Sequence, residues 1–467
     1  MTSPLRELPP VHRFTADPLV TRYDGLLGHG TVRSYVQTLL DEMRTAARAG
    51  VATPSFEELR STVLERLAVA QSAGLVRVIN GTGVLLHTNF GRAPLAASAL
   101  AAASALGTGY TNLEYDLVAG KRGSRYERVS SQLRELSGAQ AALVVNNCAA
   151  AVLLVLDTFA RDREVVVSRG QLIEIGGGFR LPDVLRKSGA RLVEVGTTNK
   201  TYVLDYRNAW TQATALFMRT HPSNYRVEGF TADVDAQTLA ALARELGVIS
   251  FEDLGSGALV GLERFGLPHE PTVAEEIAAG IDLVAFSGDK LLGGPQCGII
   301  VGRADLIDTM RHNSLLRALR VDKLTLAALS ATLALFLEPD TLDQIPLFAM
   351  LSALPDTLRS RADAICASVH ERNPSVKLWT CDCESTTGGG TLPLARIASA
   401  GIAVCVNGMS PDSVAATLRK GDPPVIGRLE EPFSCSICAR STAPKTALLL
   451  KRSAVCAARP NAHPYPR

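Results

Sequence analysis

Lys290 stands in Ser287-Gly288-Asp289-Lys290, between the apolar run Ile281 to Phe286 and a second run from Gly298 to Gly302. A lysine between two buried strands admits two readings. It snorkels to water or holds a salt bridge, or it is desolvated so that its neutral amine can attack a carbonyl carbon and form a Schiff base. Upstream, Phe251-Glu252-Asp253-Leu254-Gly255 carries two acids at the end of another apolar run. Glu252 could be the functional carboxylate; strand alternation and the turn that follows favour Asp253. Asn146-Asn147-Cys148 separates an apolar run from a helical pattern, a place where free backbone N–H groups and the helix dipole cradle an anion. Arg92, in Thr88-Asn89-Phe90-Gly91-Arg92-Ala93-Pro94, either caps neighbouring chain or ligates an anion. Arg317 and Arg320 are three apart in RHNSLLRALR and share one face if that segment is helical.

These groups need a scaffold that brings distant turns to one edge. From Ser124 the chain alternates helical and strand patterns, which predicts a mostly parallel sheet. Strands are expected at 141–145, 164–168, 191–195, 215–218 and 248–252, then on either side of Lys290. In such sheets ligands bind beyond the carboxyl ends of the strands. The loops Glu174 to Phe179 and His221-Pro222-Ser223-Asn224-Tyr225 fall at those ends too, and the second suits substrate contacts. Helices are expected at 126–136, 149–159 and 181–188, and a long apolar one at 324–337 that could bridge two domains. The stretch 74–94 reads as β-rich, and Pro94 as the start of an alanine-rich helix to Leu106. Residues 340–430 read as a smaller α/β domain, with a helix from Met350 to Glu371, strands at 376–379 and 402–406, a helix at 411–420 and a final strand from Pro423. Residues 1–75 read as separate helices, with Ser55 and Glu58 in a capping box. Their scattered arginines, Arg33, Arg44, Arg48, Arg60 and Arg66, are read either as a solvated face or as an RNA footprint.

With 467 residues the chain exceeds one core's usual size. Its 46% hydrophobic and 20% charged residues are ordinary for a globular protein, and no apolar run is long and unbroken enough for a membrane span. MTSPLRELPP lacks an apolar export region, so the expected location is cytoplasmic. Nine scattered cysteines form no disulfide framework, and the close pairs Cys381/Cys383 and Cys435/Cys438 lack the spacing of a convincing zinc site. A net charge of +2 argues for no partner, so any nucleic acid must meet local basic patches.

A cradle, a strand-end aspartate and Ser-x-x-Lys, in that order, fit pyridoxal 5′-phosphate in the aspartate aminotransferase-like α/β fold (fold type I). There the lysine forms the internal aldimine, the aspartate keeps the pyridine nitrogen protonated, and the phosphate rests on helix-start amides and the serine. The segments VINGTGVLLHTNFGRAPL, VVNNCAAAVLL, SRGQLIEIGGGFRLPDV, GTTNKT, HPSNYRVEGF, EDLGSG, FSGDKLLGGPQCGIIVG, LLRALRVDK and DPPVIGR together resemble the bacterial selenocysteine synthases, L-seryl-tRNA(Sec) selenium transferases, from about residue 78 to 430. The resemblance implies conversion of seryl-tRNA(Sec) to selenocysteinyl-tRNA(Sec) with selenophosphate, through a pyridoxal-phosphate-bound dehydroalanyl-tRNA. It implies Lys290 as Schiff-base lysine and Cα base, Asp253 as partner of the ring nitrogen, and Asp289 on the substrate side. Ser287, Asn147 and Cys148 become cofactor contacts, while Arg92, Arg317 and Arg320 become selenophosphate ligands gathered across a subunit boundary. It also implies a homo-oligomer, a ring of dimers, and an N-terminal domain (1–75) that grips tRNA, ahead of a large domain (76–337) and a small one (338–431).

Two departures stand out. Cys148 replaces a usual asparagine, which a backbone-mediated phosphate site tolerates. After Glu431 the resemblance stops, and 432–467 holds six Lys/Arg, no Asp/Glu and five prolines. The reading there is a frame-shifted terminus that leaves the small domain short of a strand and a helix. Two rival functions are a pyridoxal-phosphate lyase of small amino or sugar acids and a tRNA-binding protein without catalysis.

Overall fold

The structure, a computed structural model, describes residues 8–72, 74–175, 178–222, 224–374, 376–430, 434–438 and 440. Gly176, Gly177 and Ser223 of the loops named above, and the sequence beyond 440, lie outside the described residues. The chain divides into two compact units, one ending at Val78 and one starting at Ile79.

The first unit is helical, and its longest helices are His29–Arg48 and Phe56–Ser72. Val32, Val36, Leu39 and Leu40 face inward at three- and four-residue spacing, as do Leu59, Val63 and Leu67, and together with Phe14 and Val20 they form its core. The capping box is present: Ser55 N–H donates to Glu58 Oε2 at 2.8 Å, and Glu58 N–H donates back to Ser55 Oγ at 3.4 Å. Several arginines of this unit are engaged in ion pairs, Arg44 with Asp41, Arg60 with Asp17 and Arg66 with Glu42.

The second unit is built on seven strands: β1 Ala141–Val145, β2 Glu164–Ser168, β3 Arg191–Val195, β4 Thr214–Thr220, β5 Ile249–Gly255, β6 Leu283–Ser287 and β7 Gly298–Gly302. Their spatial order is β1-β7-β6-β5-β4-β2-β3. β1, β6 and β7 are buried at every residue, so they read as unbroken apolar runs rather than alternating ones. All neighbours are parallel except β7, which runs antiparallel to β6 and β1. The reversal is local: the chain between β6 and β7 is too short for a crossover helix, and Gly293 takes φ +73° inside it. A four-stranded antiparallel sheet forms the smaller layer, from β8 Val376–Ser385, β9 Ile397–Val406, β10 Arg428–Glu430 and β11 Ser434–Cys438, in the order β8-β9-β11-β10.

Several expectations are corrected. The 74–94 stretch holds one two-residue strand, Ile79–Asn80, because Asn80 and Thr82 turn their side chains onto nearby backbone. The alanine-rich helix starts at Ala97 rather than Pro94. The helix expected over 350–371 is two helices, Pro346–Ser352 and Pro355–Arg372, since Pro355 forces Leu354 into an extended conformation. The expected loss of a terminal strand is also corrected, because β11 pairs with both β9 and β10.

Candidate active site

Lys290, Ser287 and Asp253 sit just past or at the carboxyl ends of β6 and β5, and all three are at least nine-tenths buried. β5 and β6 pair in parallel, which brings them together. Glu252 and Asp253 point to opposite faces, as a strand requires. Glu252 is fully buried and takes a hydrogen bond from Arg219 at 3.0 Å; Arg219 also bonds Glu276 at 3.2 Å. Burial pushes the Glu252 carboxyl up to about 8. Glu252 is therefore an internal packing acid. Asp253 faces the site: an atom added to Gly255 as Cβ would lie 3.8 Å from Asp253 Oδ1 and 3.9 Å from Lys290 Nζ. Burial raises the Asp253 carboxyl to about 6, against the opposing pull of Lys290. Lys290 makes no side-chain hydrogen bond or ion pair with a described residue.

The helix Cys148–Phe159 starts beside this pair. Asn147 is its N-cap, with Oδ1 accepting from Ala150 N–H at 2.9 Å. The amides of Cys148 and Ala149 are thus left without intrahelical acceptors at the positive end of a twelve-residue helix. The Cys148 thiol reaches Asp253 Oδ1 at 3.5 Å and also bonds Ser287. Burial, then the Asp253 charge, raise that thiol well above its ordinary range, so it is an unreactive filler rather than a nucleophile. Gly298 at the start of β7 packs directly on this turn, and a Cβ there would collide with the Asn147 carbonyl. Gly298→Ala is expected to destabilise the fold by about 1–3 kcal/mol and to weaken cofactor binding, as read by urea unfolding and cofactor titration.

Arg92 joins the same site from a distant part of the chain. Its Nη1 bonds Asp289 Oδ2 at 2.8 Å, and Ala93 N–H bonds the Asp289 carbonyl. Arg317 and Arg320 do not join it within one chain. Arg317 lies in the short helix Leu316–Leu319, and Arg320 follows it in extended conformation, so the two do not share a helical face. They line a separate cleft of about 330 Å³ with Arg122, Arg125, Arg311 and Glu114. Glu114 takes the Arg125 guanidinium and lies 3.6 Å from Arg320, and the Arg125 hydrogen bond holds its carboxyl below the ordinary range. The cleft is tied to the cradle through the backbone, where Asn146 N–H donates to Leu319 O.

His221 entered the sequence reading only as part of a loop suited to substrate contacts, and Arg125 and Glu114 of the separate cleft did not enter it at all. His221 N–H bonds the Asp253 carbonyl, and its Nε2 lies 3.2 Å from buried Glu270. Its place in a polar strand-end loop was the one signal. Arg125 and Glu114 had none, because their partnership depends on folding.

The residues fit pyridoxal phosphate. Asp253 is a buried acid whose charge the protein alone does not fully compensate, and a protonated ring nitrogen would compensate it. The helix-start amides of Cys148 and Ala149 would hold the cofactor's phosphate, and the buried hydroxyls of Ser256 and Thr220 have no partner among the described residues. With the seven-stranded sheet, this defines a pyridoxal-phosphate-dependent enzyme of fold type I. A solved D-glucosaminate-6-phosphate ammonia-lyase has a similar fold, with TM-score 0.58 and 20% identity, covering 83% of this chain and 98% of that one.

Residues 78–436 match the SelA family, L-seryl-tRNA selenium transferase, so the match runs past Glu431. L-seryl-tRNA(Sec) selenium transferase of Geobacter sulfurreducens is 49% identical over 408 residues, covering 85% of this chain and 87% of the relative. The Moorella thermoacetica protein of the same name is 47% identical over 432 residues, covering 91% of each. The chain belongs to this family, whose cofactor is pyridoxal 5′-phosphate.

Proposed function

We propose that this chain performs its family's reaction with Lys290 and Asp253 as its central pair. The reaction converts seryl-tRNA(Sec) to selenocysteinyl-tRNA(Sec) at the expense of a selenium donor. The observation that carries the residue assignment is that Asp253 and Lys290 converge over Gly255. Bound at Lys290, pyridoxal phosphate supplies an electron sink for negative charge at the seryl Cα. The chain's own residues do the rest. The Lys290 amine takes the Cα proton and later returns one, a role suited to a buried lysine. Asp253 holds a proton on the ring nitrogen through a charge-assisted hydrogen bond. The amides of Cys148 and Ala149, with Ser287, hold the phosphate. The Cys148 thiol keeps Asp253 in place by donating to Oδ1.

The selenium donor is selenophosphate, and Arg92 is its first ligand, kept beside Lys290 by Asp289. Arg317 and Arg320 complete the anion site from a second copy of the chain, in a homo-oligomer built as a ring of dimers. Their placement in a cleft apart from Lys290 supports such a shared site. The N-terminal helical unit grips the tRNA, and the reaction takes place in the cytoplasm. Among the described residues no helix is long and apolar enough to cross a membrane.

Arg92→Ala is expected to raise KM for selenophosphate about ten- to a hundredfold, with KM for seryl-tRNA changed far less; equal changes in both would remove Arg92 from the donor site. The function itself is tested by incubating cofactor-loaded protein with seryl-tRNA(Sec) and selenophosphate and scoring selenocysteinyl-tRNA. Absence of product rejects the reading.

A further inference from the structure

Five arginines meet in the cleft that holds Arg317 and Arg320, and among the described residues lining it Glu114 is the one carboxylate. Guanidinium groups gathered in one cleft repel one another, and a carboxylate among them offsets that repulsion. A short hairpin supplies it. Tyr115 pairs with Arg122 and Asp116 with Lys121, antiparallel, and Gly123 N–H donates to the Glu114 carbonyl at 3.1 Å. Asp116 Oδ1 accepts from the N–H groups of Val118 and Ala119, which fixes the turn between the two strands. The hairpin thereby brings two arginines onto Glu114. Its Oε1 accepts from Arg125 Nε at 2.9 Å and from Arg125 Nη2, and its Oε2 accepts from Arg122 Nη2 at 2.9 Å.

This clamp reaches the segment that carries Arg320. The Arg125 side chain is only 11% exposed, and its Nη1 donates to the Val321 carbonyl at 2.9 Å. One residue earlier, Arg320 forms an antiparallel bridge with Val145, the last residue of β1. Asn146 N–H donates to Leu319 O at 2.9 Å. The backbone is thus held on both sides of Arg320, and the side chain is drawn to Glu114, with Nη1 3.6 Å from Oε1. That distance makes an ion pair without a hydrogen bond.

The donors divide accordingly. Arg122 and Arg125 give theirs to Glu114 and Val321, and Arg311 gives its own to Asp308 and the Ala142 carbonyl. Neither Arg317 nor Arg320 donates a side-chain hydrogen bond to a described residue. Two guanidinium groups are left with free N–H groups, and one of them is already oriented. Glu114 stays ionised to do this, because the Arg125 hydrogen bond and then the charges of Arg125, Arg122 and Arg320 hold its carboxyl below the ordinary range. A carboxylate beside an anion site weakens it by repulsion. An arginine already held in place loses less rotamer freedom when the anion arrives, which acts the other way.

We propose that Glu114 and Arg125 are positioning residues for the selenium donor, holding Arg320 where it takes an oxygen of the tetrahedral oxyanion. The proposal rests on the reading of Arg317 and Arg320 as donor ligands. The test uses cofactor-loaded full-length protein, with KM for each substrate and calorimetric binding of inorganic phosphate as readouts. Arg320→Ala measures the site itself and should raise both KM for selenophosphate and Kd for phosphate at least about tenfold. Glu114→Ala should raise the same two values about three- to tenfold, with KM for seryl-tRNA nearly unchanged. Arg125→Lys keeps the charge but loses the fork that spans Glu114 and Val321, and should weaken donor binding about as much. The double variant should be little worse than either single one. Urea unfolding and the visible absorbance of bound cofactor show whether each variant is folded; if Arg125→Lys is not, Glu114→Ala decides alone. Tighter phosphate binding by Glu114→Ala, the result of a carboxylate that only repels the anion, overturns the clamp. A folded Arg125→Lys protein that binds phosphate as wild type does overturns it too. An Arg320→Ala protein with unmoved phosphate binding and unmoved KM for selenophosphate overturns the donor-site reading, and the clamp with it.

Discussion

Lys290→Ala is expected to lower kcat by about 10³- to 10⁶-fold and to remove the visible absorbance band of the lysine-bound cofactor. The buried amine has no hydrogen bond or ion pair with a described residue to sacrifice, so the loss is chemical rather than structural. Its charge does have one structural consequence. Lys290 pulls the Asp253 carboxyl down against the effect of burial. Without it, Asp253 should bind its proton more tightly still. Lys290→Arg separates the two roles, because a guanidinium keeps the charge but does not give up its proton. The arginine variant should hold Asp253 near its wild-type titration and remain inactive. A yellow, active alanine variant would remove Lys290 from the chemistry.

Asp253→Asn is expected to lower kcat by about 10²- to 10⁴-fold, because a neutral amide does not hold the ring nitrogen protonated. The same substitution should stabilise the cofactor-free protein at neutral pH. Burial raises the Asp253 carboxyl from 3.8 to about 6 in the folded chain, so the fold binds this proton more tightly than the unfolded chain does. Stability from this group is full below about pH 4 and is lost as pH rises toward about 6. Above that the loss levels off at about 3 kcal/mol. The asparagine variant escapes it. Urea unfolding of cofactor-free protein should therefore show a more stable variant at about pH 8 and little difference at about pH 4. Cofactor binding should close the gap at high pH, since a protonated ring nitrogen compensates the wild-type carboxylate. If the variant proved less stable than wild type at high pH, Asp253 would not be the uncompensated acid described here.

The two experiments probe one design. A buried acid and a buried base face each other over Gly255, the residue whose φ of +67° lets the chain turn away from β5 and leave that space open. On the other side, Gly298 lets β7 close on the Asn147 turn. Two glycines thus set how near the lysine, the acid and the anion cradle approach one another.

What the sequence alone determined here is local. Apolar runs, turn residues and helical periodicity place Lys290, Asp253 and Asn147 at strand ends, because these patterns act within about ten residues. The family resemblance follows from the same contiguous segments. Tertiary structure decided what depends on which distant segments meet. Alternation separates Glu252 from Asp253, but only the sheet's packing shows that Glu252 meets Arg219 and Glu276 while Asp253 meets Cys148 and Lys290. The Arg92–Asp289 pair joins residues 197 apart in the chain. Arg317 and Arg320 lie in a cleft of their own because the short helix ends at Leu319 and its backbone docks on Asn146. At the opening stretch, Ser287 to Lys290, composition admitted a snorkelling lysine as readily as a reactive one. The upstream aspartate, the cradle and the family resemblance already favoured the reactive reading; what only the fold supplies is the burial of Lys290 and its approach to Asp253 on the neighbouring strand.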